Sequence, residues 1–308
     1  LYPFTFIPNY IDEPLVLVRK LDDSLSCLSN VCTHRANIIV HNPSEQKNLR
    51  CLYHGRKFNL DGEFKSMPDF EEAKNFPRDC ENLKSFPVSR LGPFLFTSLE
   101  PEFNIKKIFD EIANRLSFFK FEKLVERPDL TSEHIVKANW AIYCENYLDP
   151  FHIPFVHKEL TSVLDINQYK TEIYDNYNLQ IGYSKDDKDS FEIKEGNKDF
   201  GKKISAYYYW IFPNLMLNFY PWGLSINVIT PINKNRTKVS FIQFMMDESK
   251  YDLGAGGLID KVEREDEFVV EEVSKGLESR YYSTGRFSPT KETAIHHFHS
   301  LIAKFINS

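Results

Sequence analysis

Asn30-Val31-Cys32-Thr33-His34-Arg35 and Cys51-Leu52-Tyr53-His54-Gly55 are the two stretches whose reading decides the fold. Each offers one thiolate and one imidazole, and sixteen residues separate His34 from Cys51. Two Cys and two His can hold tetrahedral zinc, or a [2Fe–2S] cluster with both Cys on one iron and both His on the other. Zinc fingers usually pair like with like, as C-x2-C followed by H-x3-H. Here each loop mixes the two ligand types, which suits a cluster clamped between two loops.

Around these loops the pattern is one of short strands. Residues 15–19 and 25–28 flank an Asp22-Asp23 turn, residues 38–40 and 57–60 read as further strands, and residues 88–99 read as a pair bent at Gly92-Pro93. Many short strands with frequent turns predict a small antiparallel β domain. The whole chain has 308 residues, enough for one large or two ordinary domains, with 42% hydrophobic and 27% charged residues. A net charge of −6 excludes a general nucleic-acid binder, because there is no basic excess to neutralise phosphates. No apolar run is long enough to span a bilayer, and no secretory signal is visible at the start, Leu1. The five cysteines are an odd number spread widely, which argues against a disulfide framework and for a reducing, cytoplasmic setting.

A second histidine cluster lies in Asn146-Tyr147-Leu148-Asp149-Pro150-Phe151-His152-Ile153-Pro154-Phe155-Val156-His157. Neutral imidazole binds Fe, Zn, Cu or Ni, so a close histidine pair is a candidate metal site. A separation of five puts the two rings well apart on an unbroken helix, and Pro154 removes a helical donor between them. The spacing therefore predicts a helix that breaks here and lets both rings converge, with Asp149 placed to contact His152. Residues 169–246 alternate polar and apolar groups and predict an antiparallel sheet. Its aromatic runs at 205–214 and 217–222 suit either a core or an apolar substrate pocket. Helices are expected over 105–116, over 259–277 and from a Ser288 cap with Pro289 in the first turn. Residues 254–257 read as a loop or flexible break without phosphate-binding spacing, and Asp186-Asp187-Lys188-Asp189 as a solvated loop. His134, His296, His297 and His299 read as structural. An iron site needs a third ligand, commonly a carboxylate, and the acids between Glu263 and Glu272 are its best suppliers. Spacing alone does not choose among them.

The motif Cys32-x-His34 with Cys51-x-x-His54, together with its flanks, resembles the Rieske oxygenases. Respiratory Rieske proteins carry an extra Cys in each loop. Asn37 and Tyr53 stand at those places, so the oxygenase branch fits better. Ala36 and Arg56 depart from the glycine and tryptophan that the family often has. Glu145, Asp149, His152 and His157 resemble the family's helix motif. Glu265-Asp266 followed by residues 273–279 resembles its C-terminal segment, with Ser274 where many relatives have Gln.

The resemblance implies that Cys32, His34, Cys51 and His54 hold a [2Fe–2S] cluster. It implies that His152, His157 and Asp266 hold mononuclear Fe(II), with Glu265 the alternative third ligand, and that Asp149 bridges to a Rieske histidine. It implies an α+β fold: an all-β Rieske domain over residues 1–100, then a helix-grip-like catalytic domain over 101–308 with an antiparallel sheet covered by helices. It implies a homotrimeric terminal oxygenase that takes electrons from NAD(P)H through a reductase, possibly with a ferredoxin, and uses O2 on a small organic substrate. Aromatic ring dioxygenation is the expected reaction. The segments 212–220 and 273–279 resemble the branch that contains both the aromatic-ring dioxygenases and the choline, betaine and carnitine monooxygenases, which makes monooxygenation or N-demethylation of a quaternary amine the alternative. A non-catalytic Rieske electron carrier is the reading from another class.

Overall fold

The computed structural model describes residues 1–251 and 253–307; Asp252, Ser308 and the side chains of Asp187, Leu258 and Asp260 lie outside the description, and with them the expectation for Asp187. The chain divides into two compact units, Leu1–Ala113 and Asn114–Ser308.

The first unit is built from short antiparallel strands. β1 (Tyr2–Phe6), β2 (Glu13–Arg19), β3 (Leu25–Ser29) and β7 (Ser85–Phe86) form one sheet. A second contains β4 (Leu49–Arg50), β5 (Lys57–Phe58) and β6 (Phe64–Ser66), and β8 (Val88–Leu91) pairs with β9 (Phe94–Thr97). Val16, Val18, Leu28, Leu49 and Phe58 pack into one core with Cys32 and Cys51. Residues 38–40 do not form the expected strand and contribute only a bridge from Ile38 to Val31. Their polar groups serve the cluster loop instead: Ile39 N–H donates to Asn30 O (3.1 Å) and Val40 N–H to Asn30 Oδ1 (2.8 Å). The helix α1 (Ile105–Arg115) runs across the division between the units.

The second unit is an eight-stranded antiparallel sheet with helices against it. Its strands are β10 (Val125–Glu126), β11 (Ser132–Val136), β12 (Lys170–Tyr174), β13 (Tyr177–Tyr183), β14 (Ile204–Ile211), β15 (Leu215–Tyr220), β16 (Gly223–Asn233) and β17 (Arg236–Met245). The order is β10-β17-β16-β15-β14-β13-β12, with β11 also paired to β17. Between β11 and β12 lie α2 (Trp140–Tyr147), α3 (Ile153–Val156) and α4 (Lys158–Val163). After β17 come α5 (Ile259–Gly276) and α6 (Thr293–Ile306). Trp210, Met216, Ile229 and Phe241 from the sheet pack with Ile142 and Leu148, with Val270 of α5, and with Phe298 of α6.

Two sequence readings change in the second unit. The last helix begins at Thr293, because Ser288 instead closes a preceding turn in which Glu292 N–H donates to Ser288 O (3.1 Å). The 254–257 glycines are not a flexible break. A Cβ on Gly256 would sit 2.0 Å from Trp222 Nε1, so the bare backbone is needed to pack on that buried indole.

Alternation along a strand sends successive side chains to opposite faces. The register lines up Gln180, Tyr208, Asn218, Ser225 and Gln243 directly across five strands. The polar members of this row are buried, so the alternation does not separate core from solvent here. On the neighbouring positions, Arg115 anchors the sheet. Its guanidinium meets Glu172 (2.5 Å) and Asp199 (2.8 Å), and Asp199 is 0% exposed.

Burial raises the carboxyl of Glu172, but the hydrogen bond from Arg115 outweighs it, and the net shift is well below the usual range; Asp199 is lowered in the same way by Lys202 and Arg115. A lowered folded-state pKa gives stability that is full above the ordinary carboxylate range, near pH 4, and is lost as pH falls through the lowered values. Arg115→Met should cost about 3–5 kcal/mol at pH 7, because it leaves a buried carboxylate short of its partner. It should also flatten the acid limb of stability. Urea unfolding at pH 7 and at pH 3.5 checks both, and equal losses at the two pH values would contradict the account.

Candidate metal centres

The two Cys-His loops are built alike. Cys32 N–H donates to Asn37 O (2.9 Å) and Cys51 N–H to Arg56 O (2.8 Å); Ala36 N–H returns to Cys32 O (2.9 Å) and Gly55 N–H to Cys51 O (3.0 Å). Each loop turns through a left-handed residue, Ala36 at φ 54° and Gly55 at φ 75°. Glycine takes that conformation freely, whereas alanine pays roughly 1 kcal/mol. Both thiols are buried and neither forms a disulfide. His34 and His54 face each other on the outer side, ring centroids 4.8 Å apart. Asn37 Nδ2 lies 3.7 Å from Cys51 Sγ, a donor to sulfur. Burial pushes the Cys32 thiol up, a cost that binding as a metal thiolate removes.

Arg56, where relatives often have tryptophan, is 2% exposed. It lies 4.9 Å from the Phe64 ring and 5.7 Å from Phe58 and Phe76, and it pairs with Glu81. The Glu81 carbonyl accepts from Thr33 Oγ1 (2.8 Å). One buried ion pair therefore ties the second cluster loop to the first.

The second site forms where α2 ends. Asn139 caps α2 by accepting from Ala141 N–H (3.0 Å), and the helix stops at Leu148. Asp149 Oδ1 then accepts from Phe151 N–H (2.7 Å), an Asx turn that Pro150 favours. His152 opens the single turn α3, and Pro154 sits in that first turn, where its missing N–H costs nothing. His157 leaves helical geometry at φ −105°, ψ 73°. These two breaks bring back together side chains that an unbroken helix would splay.

His152 Nε2 and His157 Nε2 stand 3.1 Å apart, and Asp266 Oδ1 lies 3.3 Å from the first and 3.0 Å from the second. Ligand atoms so spaced would lie about 2.1 Å from one shared ion at angles of roughly 90–105°, with further positions open. Among the described residues this is the set of three or more metal-ligating groups that closes to within 4.8 Å. Cys32, His34, Cys51 and His54 do not close so far, which fits a two-iron cluster better than one zinc ion.

Glu265, the alternative third ligand, points elsewhere: its Oε2 is 2.7 Å from His157 Nδ1, behind the ring. This orienting role was missed in the sequence. Asp149 Oδ2 stands 3.4 Å from His152 Nδ1, a buried nitrogen with no formed hydrogen bond. Burial opposes charge on His152, but contacts with Asp149 and Asp266 prevail and lift it to about 9. The same balance raises His157 and lowers Asp266. A cation at the centre would take the place of those protons.

On α5, Ile259, Glu263, Asp266 and Val270 share one inner stripe, which by spacing separates Asp266 from its neighbour Glu265 but not from Glu263. Glu145 is tied to His299 Nε2 (2.7 Å), and His297 Nδ1 to Asn178 Oδ1 (3.0 Å). His134 Nδ1 lies 2.7 Å from Glu267 Oε1.

A cavity of about 100 Å³ opens beside the triad, lined in part by Tyr143, Tyr147, Tyr169, Tyr208 and Tyr220. Its floor is the polar row: Tyr147 OH donates to Asn218 Oδ1 (2.6 Å), and Gln180 Nε2 to Tyr147 O (2.7 Å).

Residues 7–86 match the model of the Rieske [2Fe-2S] domain, and residues 121–308 match that of the ring hydroxylating alpha subunit catalytic domain. The chain belongs to the Rieske ring-hydroxylating α subunits. It is a Rieske terminal oxygenase, an α+β oxidoreductase that uses O2 with a [2Fe–2S] cluster and mononuclear iron, which sets the electron-carrier reading aside. Chloroplastic choline monooxygenase of Arabidopsis thaliana is 30% identical over 94% of this chain and 71% of the relative. The carnitine monooxygenase oxygenase subunit of Escherichia coli K12 is 29% identical over 96% and 81%. Among solved structures, a quaternary ammonium Rieske monooxygenase superposes with a TM-score of 0.71 at 19% identity, over 99% of this chain and 84% of that one. A naphthalene 1,2-dioxygenase gives 0.63 at 18%, over 96% and 82%. These two likenesses show the shared fold. No described helix is long and apolar enough to cross a membrane.

His152→Ala should leave the cluster's visible spectrum intact while iron falls from about three to about two per chain. Glu265→Gln should weaken Fe(II) binding about 10–100-fold in a competition titration, because the ring behind the metal loses its orienting acceptor. Unchanged affinity would show that Glu265 is only a surface partner.

Proposed function

We propose that this oxygenase hydroxylates a small quaternary amine as a monooxygenase, in place of the aromatic ring dioxygenation expected from the sequence. The observation that carries the reading is the tyrosine-walled cavity beside the triad. Burial pushes the phenols of Tyr143, Tyr147, Tyr169, Tyr208 and Tyr220 up, so their rings stay neutral. Neutral aromatic faces attract a cation that cannot be hydrogen-bonded by its nitrogen. The choline and carnitine monooxygenases among the relatives act on molecules of this kind.

In this reading Cys32, Cys51, His34 and His54 hold the [2Fe–2S] cluster, and His152, His157 and Asp266 hold Fe(II). Bound there, the iron supplies O2 activation. In the balanced reaction, one oxygen atom enters a C–H bond and the other leaves as water, with two electrons and two protons consumed. The chain's own residues do the rest. Glu265 accepts the Nδ1 proton of His157 and fixes its tautomer. Asp149 holds the His152 ring from behind. The tyrosines bind the cation, and Gln180, Asn218 and Ser225 offer dipoles to its polar end.

Electrons would come from NAD(P)H through a separate reductase, possibly with a ferredoxin. A homotrimer in which one subunit's cluster serves its neighbour's iron is the assembly this reading calls for, with Asp149 as the bridging carboxylate between His152 and the neighbour's cluster histidine. A reducing cytoplasm suits five cysteines that form no disulfide, two of them held by the cluster in this reading.

Oxygen uptake by the reduced system tests the substrate class. It should rise with trimethylammonium compounds and stay at background with naphthalene or benzoate; the reverse pattern would restore ring dioxygenation. Asp149→Asn should give a cluster that reduces normally with turnover lowered by about 100-fold or more. Normal turnover in that variant would remove Asp149 from the electron path.

A further inference from the structure

We propose that Arg56 is a fixed positive charge that raises the reduction potential of the [2Fe–2S] cluster. The proposal rests on the cluster assignment above, to Cys32, His34, Cys51 and His54. Arg56 follows His54 by two residues and belongs to the second cluster loop itself, where its carbonyl accepts the Cys51 N–H (2.8 Å). Its side chain is 2% exposed, and the guanidinium lies within 5.7 Å of three phenyl rings, Phe58, Phe64 and Phe76. Ring faces attract a cation but do not neutralise it. Glu81 is the carboxylate that meets it. That partner is shared, because Glu81 Oε1 also lies 3.6 Å from Arg78 Nη2. Arg56 Nε is buried with no hydrogen-bond partner among the described residues. A buried ion pair is a weak source of stability, so its place beside a redox centre asks for another account.

The sign follows from charge. Reduction adds one electron to the cluster and neither forms nor breaks a bond. A cation held close stabilises the more negative, reduced state, and more strongly where water is excluded. Arg35 and Arg50 also flank the ligands, but both are exposed, where water and salt screen them. Arg56 is the buried arginine of the two loops. Its field reaches the ligands. Burial pushes the Cys32 thiol up, and the charge on Arg56 pulls against that rise. Burial lowers His34 most, followed by the charges of His54, Arg35 and Arg56, against a smaller opposing pull from Glu81. At His34 the guanidinium therefore outweighs the carboxylate it is paired with. Arg56 touches neither the iron position nor the substrate cavity and acts through the cluster. A raised potential lets a milder electron donor fill the cluster and leaves less driving force for the step to iron.

Spectroelectrochemical titration of the whole, cluster-loaded chain at neutral pH reads the potential without turnover, with mediator dyes carrying the electron from the electrode. Arg56→Met should keep the cluster's spectrum and lower its reduced-to-oxidised ratio at a fixed applied potential about tenfold, a downward shift of about 59 mV for one electron. Arg56→Lys, which keeps the charge, should stay closer to the wild type than to Arg56→Met. Glu81→Gln, which removes the anion and leaves the guanidinium, should move the potential upward. The gap between wild type and Arg56→Met should persist in about 1 M NaCl, because a buried charge is screened little. A wild type without a Rieske spectrum would bring down the cluster assignment, and the proposal with it. An intact Arg56→Met cluster at the wild-type potential would bring down only the role of Arg56, and so would Arg56→Lys falling as far as Arg56→Met. A gap erased by salt would assign the effect to an exposed charge, against the proposal. If Arg56→Met holds no cluster, Glu81→Gln decides, and an unchanged or lowered potential there counts against it. Loss of the cluster in all three variants would make the ion pair a tie between the loops and nothing more.

Discussion

Three lone pairs are aimed at one point: two imidazole nitrogens 3.1 Å apart and a carboxylate oxygen 3.0–3.3 Å from both. Two bare imidazole acceptors cannot face each other at that distance without a proton or a metal between them. The protein imposes the arrangement, because His157 is 1% exposed on its side chain and braced from behind by Glu265. Much of the second unit can be read as the apparatus that keeps those atoms converging. The Asx turn at Asp149 and the single turn of α3 set one side, and the buried stripe of α5 sets the other.

The sheet contributes by its register. A row of side chains across β13 to β17 puts amides and hydroxyls on the cavity floor and ties them to Tyr147 at the end of α2. Gly256 lets the segment before α5 lie flat on Trp222, which stacks on Tyr220 in the cavity wall (5.2 Å). Packing, cavity shape and ligand placement are thus one problem. In the first unit the Arg56–Glu81 pair, buried among phenylalanines, has the same function for the cluster loops.

Much of this was legible in the residues. The mixed Cys-His loops and the His152–His157 separation carry chemistry that few other arrangements need, and the broken helix follows from a separation of five with Pro154 between. Less was legible where long-range contacts decide. Ile38–Val40 looks like a strand by composition, but its hydrogen bonds go to Asn30. Ser288 looks like a helix cap, but it closes a turn before the helix. Asn178, Gln180 and Ser225 alternate with apolar residues as a solvent face would, and only the helices packed over them reveal an interior. Glu265 and Asp266 are adjacent acids in sequence. Which one meets Nε2 and which meets Nδ1 depends on how α5 is rotated against α3 and α4.

The central claim is that His152, His157 and Asp266 hold one ferrous ion with coordination positions left open beside the cavity. Nitric oxide added to the anaerobic, Fe(II)-loaded protein tests this most directly by EPR. The account predicts an S = 3/2 iron–nitrosyl signal that changes shape when a quaternary amine is bound and is absent in Asp266→Ala. A full complement of iron with no such signal, or a signal that survives Asp266→Ala unchanged, would contradict it.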